Sequence, residues 1–281
     1  MPNPSDATPL TTPLRNLEAW TSHFRAAEIP VLGHTADALE ALRANEDDVD
    51  ANGIGEMVAG DPLMTLKVLA HAALNRPRCV VTDAETVTAA LVMMGISPFF
   101  RAFGPQTSIE QRFADNPDAL DGLQGVLKRA WRGANFALAF AVHRMDHDAA
   151  VIHEAALLHD FAEMLLWCHA PELALRIRAA QRADATLRSN VIQQQVLNIE
   201  LPDLQQALMR AWRLPELLIR ITDDKHAEQP AVRNVVLAVR LARHTARGWD
   251  NAALPDDIRD IAGLLTLSHD ATLQLVRGVE A

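Results

Sequence analysis

Apolar residues return every three or four positions through most of the chain, the spacing of helices that bury one face. After Asp61-Pro62, a capping residue followed by a first-turn proline, Leu63, Leu66, Leu69, Ala70 and Ala73 share one such face. Thr82 and Glu85 have capping-box spacing and predict a helix carrying Val87, Ala90, Leu91 and Met94, closed by Gly95. Ser97-Pro98 opens a short helix with Phe99, Phe100 and Phe103, stopped by Gly104-Pro105. Beyond Asp115–Asp118 a long stripe runs through Leu120, Leu123, Leu127, Trp131, Ala134, Leu138 and Val142. It breaks at His147-Asp148 and resumes with Ile152, Ala155, Ala156, Leu158, Phe161 and Leu165. Further helix starts fall near Pro171, Thr186, Pro202, Pro215, Pro230, Pro255 and Ser268. Alternating strand patterns are missing apart from a weak one at Cys79-Val80-Val81, so the pattern predicts an all-α protein.

The first dozen residues, rich in proline, serine and threonine, read as a flexible tail, and the tail segment is drawn as 1–22. Arg43 to Asn52 is acidic (Glu46, Asp47, Asp48, Asp50) and reads as a loop or frayed helix end. Breakers between 105 and 118 suggest an N-terminal helical lobe over 23–114 and a C-terminal one over 115–281. No fixed-period repeat is present.

Composition narrows the function classes without choosing among them. With 49% hydrophobic and 22% charged residues, the chain has the balance of an ordinary globule. Its net charge of −10 opposes phosphate backbones and anionic lipid, so neither nucleic acid nor membrane is an expected partner. No run approaches the roughly 20 apolar residues of a membrane span. The opening Met1–Asp6 lacks the cationic start and apolar run of a secretory signal. Cys79 and Cys168 form no CxxC pair and read as reduced, half-buried thiols, so a cytoplasmic location is expected.

Several patterns that carry chemistry fail at a definite residue. Gly53 and Gly55 lack the third glycine of a dinucleotide fingerprint and follow no strand, and no phosphate-cradling GxxxxGK[ST] exists. His153-Glu154 begins like a zinc-protease helix, but its fifth position is Leu157. His143 and His147, beside Asp146 and Asp148, read as a solvated helix end rather than a metal site. Arg240, Arg243 and Arg247 share a helix face with His244, and read as a solvated face with an anion site as the alternative. Phe99, Phe100 and Phe103 fit either core or an apolar patch for a partner. His159-Asp160 delivers an imidazole and a carboxylate to one helix end, where both could ligate a divalent ion. Such a pair, taken alone, is more often a hydrogen-bonded polar pair.

Five segments in order from about Ile29 to beyond Ala242 resemble the HDOD family, the HD-related output domain of bacterial signalling proteins. They are Ile54 to Ala70 with Asp61-Pro62-Leu63; Thr86 to Ile96; Trp131-Arg132-Gly133, where a Trp-x-His element is common; Ala156 to Asp160; and Ala211 to Pro215, followed by Lys225-His226 near a usual His-His. The resemblance implies a multi-helix HD-like bundle in two packed helical lobes.

The departures bear on activity. In the HD superfamily a working phosphohydrolase is implied to bind its metal through a His on an earlier helix, the His-Asp pair and an Asp on a later helix. Here the earlier position is Gly133, the pair is followed by Phe161-Ala162-Glu163 instead of Ile-Gly-Lys, Lys225 replaces one histidine, and His244 stands near the place of the later carboxylate. Two ligands are too few to hold and polarise a catalytic ion. His159 and Asp160 are therefore read as a vestigial pair, with no catalytic residue, metal or cofactor expected. Glu163, one turn beyond His159, is positioned to orient that imidazole, and Trp131, Trp212, Pro215 and His226 are structural or interaction residues. The resulting expectation is a non-catalytic regulatory module acting on a signalling partner such as a kinase, cyclase or transcription component. Its alternatives are a metal-dependent phosphohydrolase of nucleotides or cyclic dinucleotides, and a second-messenger sensor. Homodimerisation is left open.

Overall fold

The computed structural model describes residues 9–76, 83–184 and 186–279. In those residues the apolar stripes pair helix against helix; outside the helices the one β contact is an isolated bridge between Val31 and Ser108. From the start of the chain the helices are α1 (Leu17–Ala26), α2 (Gly33–Arg43), α3 (Ala51–Ala59), α4 (Pro62–Leu74), α5 (Val87–Met94), α6 (Ile96–Ala102) and α7 (Ile109–Arg112). Next come α8 (Pro117–His143), α9 (Ala149–Leu157), α10 (Phe161–His169), α11 (Pro171–Ala183) and α12 (Ser189–Leu197). The last are α13 (Leu201–Ala211), α14 (Glu216–Ile221), α15 (Pro230–His244), α16 (Leu254–Leu265) and α17 (His269–Gly278).

These helices form two compact units, each discontinuous in sequence. One comprises the chain to Val126 with Asp160–Pro215, the other Leu127–His159 with Glu216 to the end. This differs from a division into consecutive lobes at 114/115. The long helix α8 passes from one unit into the other, so no breaker marks the boundary.

In the first unit α1 packs on α13 and α10 on α4, α11 and α13. The segment drawn as a tail to residue 22 already contains most of α1. Trp20 is fully buried there and donates its indole N–H to Leu197 O at 2.9 Å. Asp61 caps α4 as its Oδ1 accepts from Leu63 and Met64, while Oδ2 accepts from Leu32 N at the start of α2. The next helix starts one turn later than Thr82 suggests: Thr86 caps α5, its hydroxyl accepting from Ala89 N at 3.2 Å. Thr82 and the Cys79–Val81 stretch lie outside the described residues, as does most of the proline-rich start. The acidic segment holds a 3₁₀ turn (Glu46–Asp48) before Asp50 caps α3. Phe99, Phe100 and Phe103 are all buried, with the Phe99 ring against both of the others, so the trio is core.

In the second unit α15 is central and packs on α9, α14 and α16, and α17 lies on α16. Phe136, Phe140, Leu218 and Val235 are fully buried in it.

Candidate functional site

Helices α8 and α15 meet in the second unit at Gly133, where a metal-binding histidine would have to stand. A Cβ built on Gly133 would lie 3.4 Å from Val239 Cγ2, 3.5 Å from Val239 Cα and 3.8 Å from Ala242 Cβ. These are ordinary van der Waals distances, so α15 packs directly on α8 where glycine leaves only a hydrogen. Polar ties hold this seam: Asn234 Nδ2 donates to Ala137 O at 3.2 Å, and Arg132 donates to Thr245 Oγ1 at 2.7 Å and Ala242 O at 3.4 Å.

His159 follows α9 and is buried, with 8% of its side chain exposed. Its Nε2 lies 2.8 Å from Asp224 Oδ1 on the 3₁₀ turn Asp224–His226, which packs on α15. The unit boundary falls between His159 and Asp160. Asp160 heads α10, where its carbonyl accepts from the Glu163 and Met164 N–H groups, while its side chain does not cap that helix. Glu163 is half-buried on α10.

The remaining sequence-named residues are dispersed. Trp131 is half-buried on α8. Trp212 is buried at the end of α13, its ring 5.8 Å from that of Phe161. The turn after it closes through Leu214 N donating to Met209 O at 3.0 Å, with Arg213 left-handed at φ +56° and Pro215 buried behind. His226 is over half exposed and stands 3.4 Å from Glu228.

His244 is tied through one nitrogen. Its Nδ1 lies 2.5 Å from Asp257 Oδ2, and Arg240 pairs with Asp257 at 2.8 Å and Asp260 at 2.5 Å. Asp257 is 2% exposed, so Arg240 and His244 on this face are paired with a buried carboxylate of α16. Asp224 and Asp257 were missed by sequence reasoning. Asp224 immediately precedes Lys225-His226, and Asp257 sits in the first turn of α16, where a helix favours a carboxylate. Cys168 is buried, and desolvation pushes its thiol up to about 12, which keeps it protonated and unreactive.

Among the described residues, no group of three or more His, Cys, Asp or Glu side chains is placed to hold a metal ion. With glycine at position 133 supplying no ligand, the residues present do not fit the catalytic cation of the HD superfamily. The arrangement offers a buried imidazole paired with a half-exposed carboxylate.

The sequence profile of the HDOD domain matches residues 29–228. Among solved structures, the chain is similar to the MmoQ response regulator from Methylococcus capsulatus, with a TM-score of 0.67 and 16% identity over 90% of this chain and 99% of that one. It is also similar to a virulence factor from Campylobacter jejuni, with a TM-score of 0.61 and 15% identity over 94% and 98% of the two chains. At these identities the likeness is one of fold. No curated protein is significantly similar to the chain. No described helix is long and apolar enough to cross a membrane.

Proposed function

The chain belongs to the HDOD domain family, and from that premise we propose that it is a non-catalytic signalling module that works by binding another protein, such as a kinase, cyclase or transcription component. The observation that carries this reading is glycine at position 133, where α8 packs on Val239 of α15. Glycine offers no ligand, and without an imidazole there the His159-Asp160 pair lacks the third ligand that holds and polarises an ion. The bond from His159 to Asp224 supports the same reading, since it engages Nε2 in a structural pair. His159 and Asp160 are then a relic of the superfamily's metal site, retained as polar groups within the bundle. The similarity in fold to a response regulator fits a signalling role. Net charge −10 favours a partner with a basic surface over nucleic acid or anionic lipid.

Two measurements test this together. Tag-free protein supplied with manganese or iron is assayed against nucleotides and cyclic dinucleotides, and the same protein is used to isolate a partner by cross-linking in its native cells. The reading expects no turnover above the blank and one stoichiometric signalling partner. Turnover that vanishes in Asp160→Ala would overturn it.

A further inference from the structure

Within the first unit, the end of α4, the helix α5 and the turn that follows α13 enclose a cavity of about 140 Å³. Leu69 and Ala73 of α4, Met93 and Met94 of α5, and Pro215 line it. An apolar cavity of roughly 150 Å³ is large enough to take up benzene. Among the described residues four ionisable side chains also line it: His71, Arg76, Asp83 and Arg213. Arg76 and Asp83 pair with each other. Burial lowers the pKa of His71, so its imidazole is neutral near pH 7. Arg213 is exposed and has no ion-pair partner among the described residues. The lining therefore carries one unbalanced positive charge. Arg213 also holds a left-handed backbone, φ +56°, just past the end of α13, where glycine is the usual residue. The fold thus keeps a long cationic side chain at a position where a residue without one would close the helix at lower cost.

We propose that this cavity binds a small aromatic monocarboxylate, its ring held between α4 and α5 and its carboxylate paired with Arg213. Three features select that class. The volume admits one six-membered ring and little more. The two thioethers of Met93 and Met94 favour an aromatic ring over an alkyl one, because sulfur makes attractive contacts with ring edges. The single uncompensated arginine matches one negative charge, and its planar fork fits a carboxylate. A phosphate monoester would bring close to two charges, leaving one unbalanced beside Asp83. Ligand binding of this kind goes beyond the signalling reading and does not depend on it, because it is measured on the purified chain alone.

The test is isothermal titration calorimetry of the full chain with benzoate, benzyl alcohol and cyclohexanecarboxylate. Benzoate should bind at one site per chain with a dissociation constant of about 1 mM or lower. Benzyl alcohol, which keeps the ring and loses the charge, should bind at least about tenfold more weakly. Cyclohexanecarboxylate, which keeps the charge and loses the aromatic ring, should bind several-fold more weakly. Arg213→Gln should cost benzoate about as much as losing its charge does, while Arg213→Lys keeps most of the affinity. Ala73→Leu, which fills the cavity, should abolish binding with the melting temperature held; Ala73→Val takes its place if that variant unfolds. No saturable binding of benzoate across the millimolar range would overturn the proposal. So would binding indifferent to Ala73 and Arg213 substitution, or equal affinity for benzoate and either of the other two compounds.

Discussion

Gly133 on α8 packs directly against Val239 on α15, an ideal Cβ on the glycine lying 3.4 Å from Val239 Cγ2 and 3.5 Å from its Cα. A side chain larger than a methyl group at this position has to be accommodated against the α15 backbone.

Gly133→His should therefore destabilise the protein by about 2–3 kcal/mol through overpacking and should bind no metal. Adding Val239→Ala, which removes the nearest side-chain atoms, should recover part of that loss. Denaturant unfolding of the three variants checks it. A Gly133→His protein as stable as the parent would show that the seam is looser than the distances indicate.

His159 and Asp224 form a pair in which only the imidazole is buried. Because the carboxylate is 48% exposed, solvent screens it. A double-mutant cycle of His159→Gln and Asp224→Asn should give a coupling of no more than about 1 kcal/mol. A much larger coupling would mark the pair as part of a tighter network than a surface turn can form.

Acid should weaken the fold through its buried imidazoles. Burial, helped by the adjacent Arg112 guanidinium, pushes His169 down to about 3 from its ordinary 6.5, and burial also lowers His23, His71 and His153. Below pH 6.5 the unfolded chain takes up protons that the folded chain refuses, so stability is complete above that pH and falls on acidification toward about 3. His169 alone contributes a slope of up to about 1.4 kcal/mol per pH unit in that window. Unfolding free energies of the parent and His169→Gln between pH 7.5 and 5 should show the steeper dependence in the parent. Equal slopes would contradict the assignment.

Gly122 on α8 lies under the Trp167 ring, where an added Cβ would collide with Cη2, and Arg178 covers the ring at 5.2 Å. Gly122→Ala should cost about 1–3 kcal/mol despite alanine's better helix propensity. Thermal unfolding reads this directly, and a neutral or stabilising effect would count against the packing.

The helical class and most helix starts were legible because proline and capping residues act locally: Asp61-Pro62 forms its cap within three residues. Thr82 and Thr86 show where that signal fails. They lie one turn apart before the same apolar stripe, so periodicity cannot choose between them, and the structure uses Thr86. The discontinuous units were illegible because α8 crosses the boundary without a breaker. At the candidate site, Gly133, His159 and Asp160 could be read from their motif. Asp224 could not be paired with His159 in advance, because the partners are 65 residues apart and the contact depends on how α9 and the 3₁₀ turn meet α15. Trp167 over Gly122 is a tertiary contact of the same kind.

The central claim is that the relic of the metal site holds no catalytic cation. Metal analysis of tag-free protein purified from manganese- and iron-supplemented cells, in parallel with Asp160→Ala, tests it most directly. The account predicts substoichiometric metal that is the same in both proteins. One ion per chain in the parent, absent from Asp160→Ala, would contradict it.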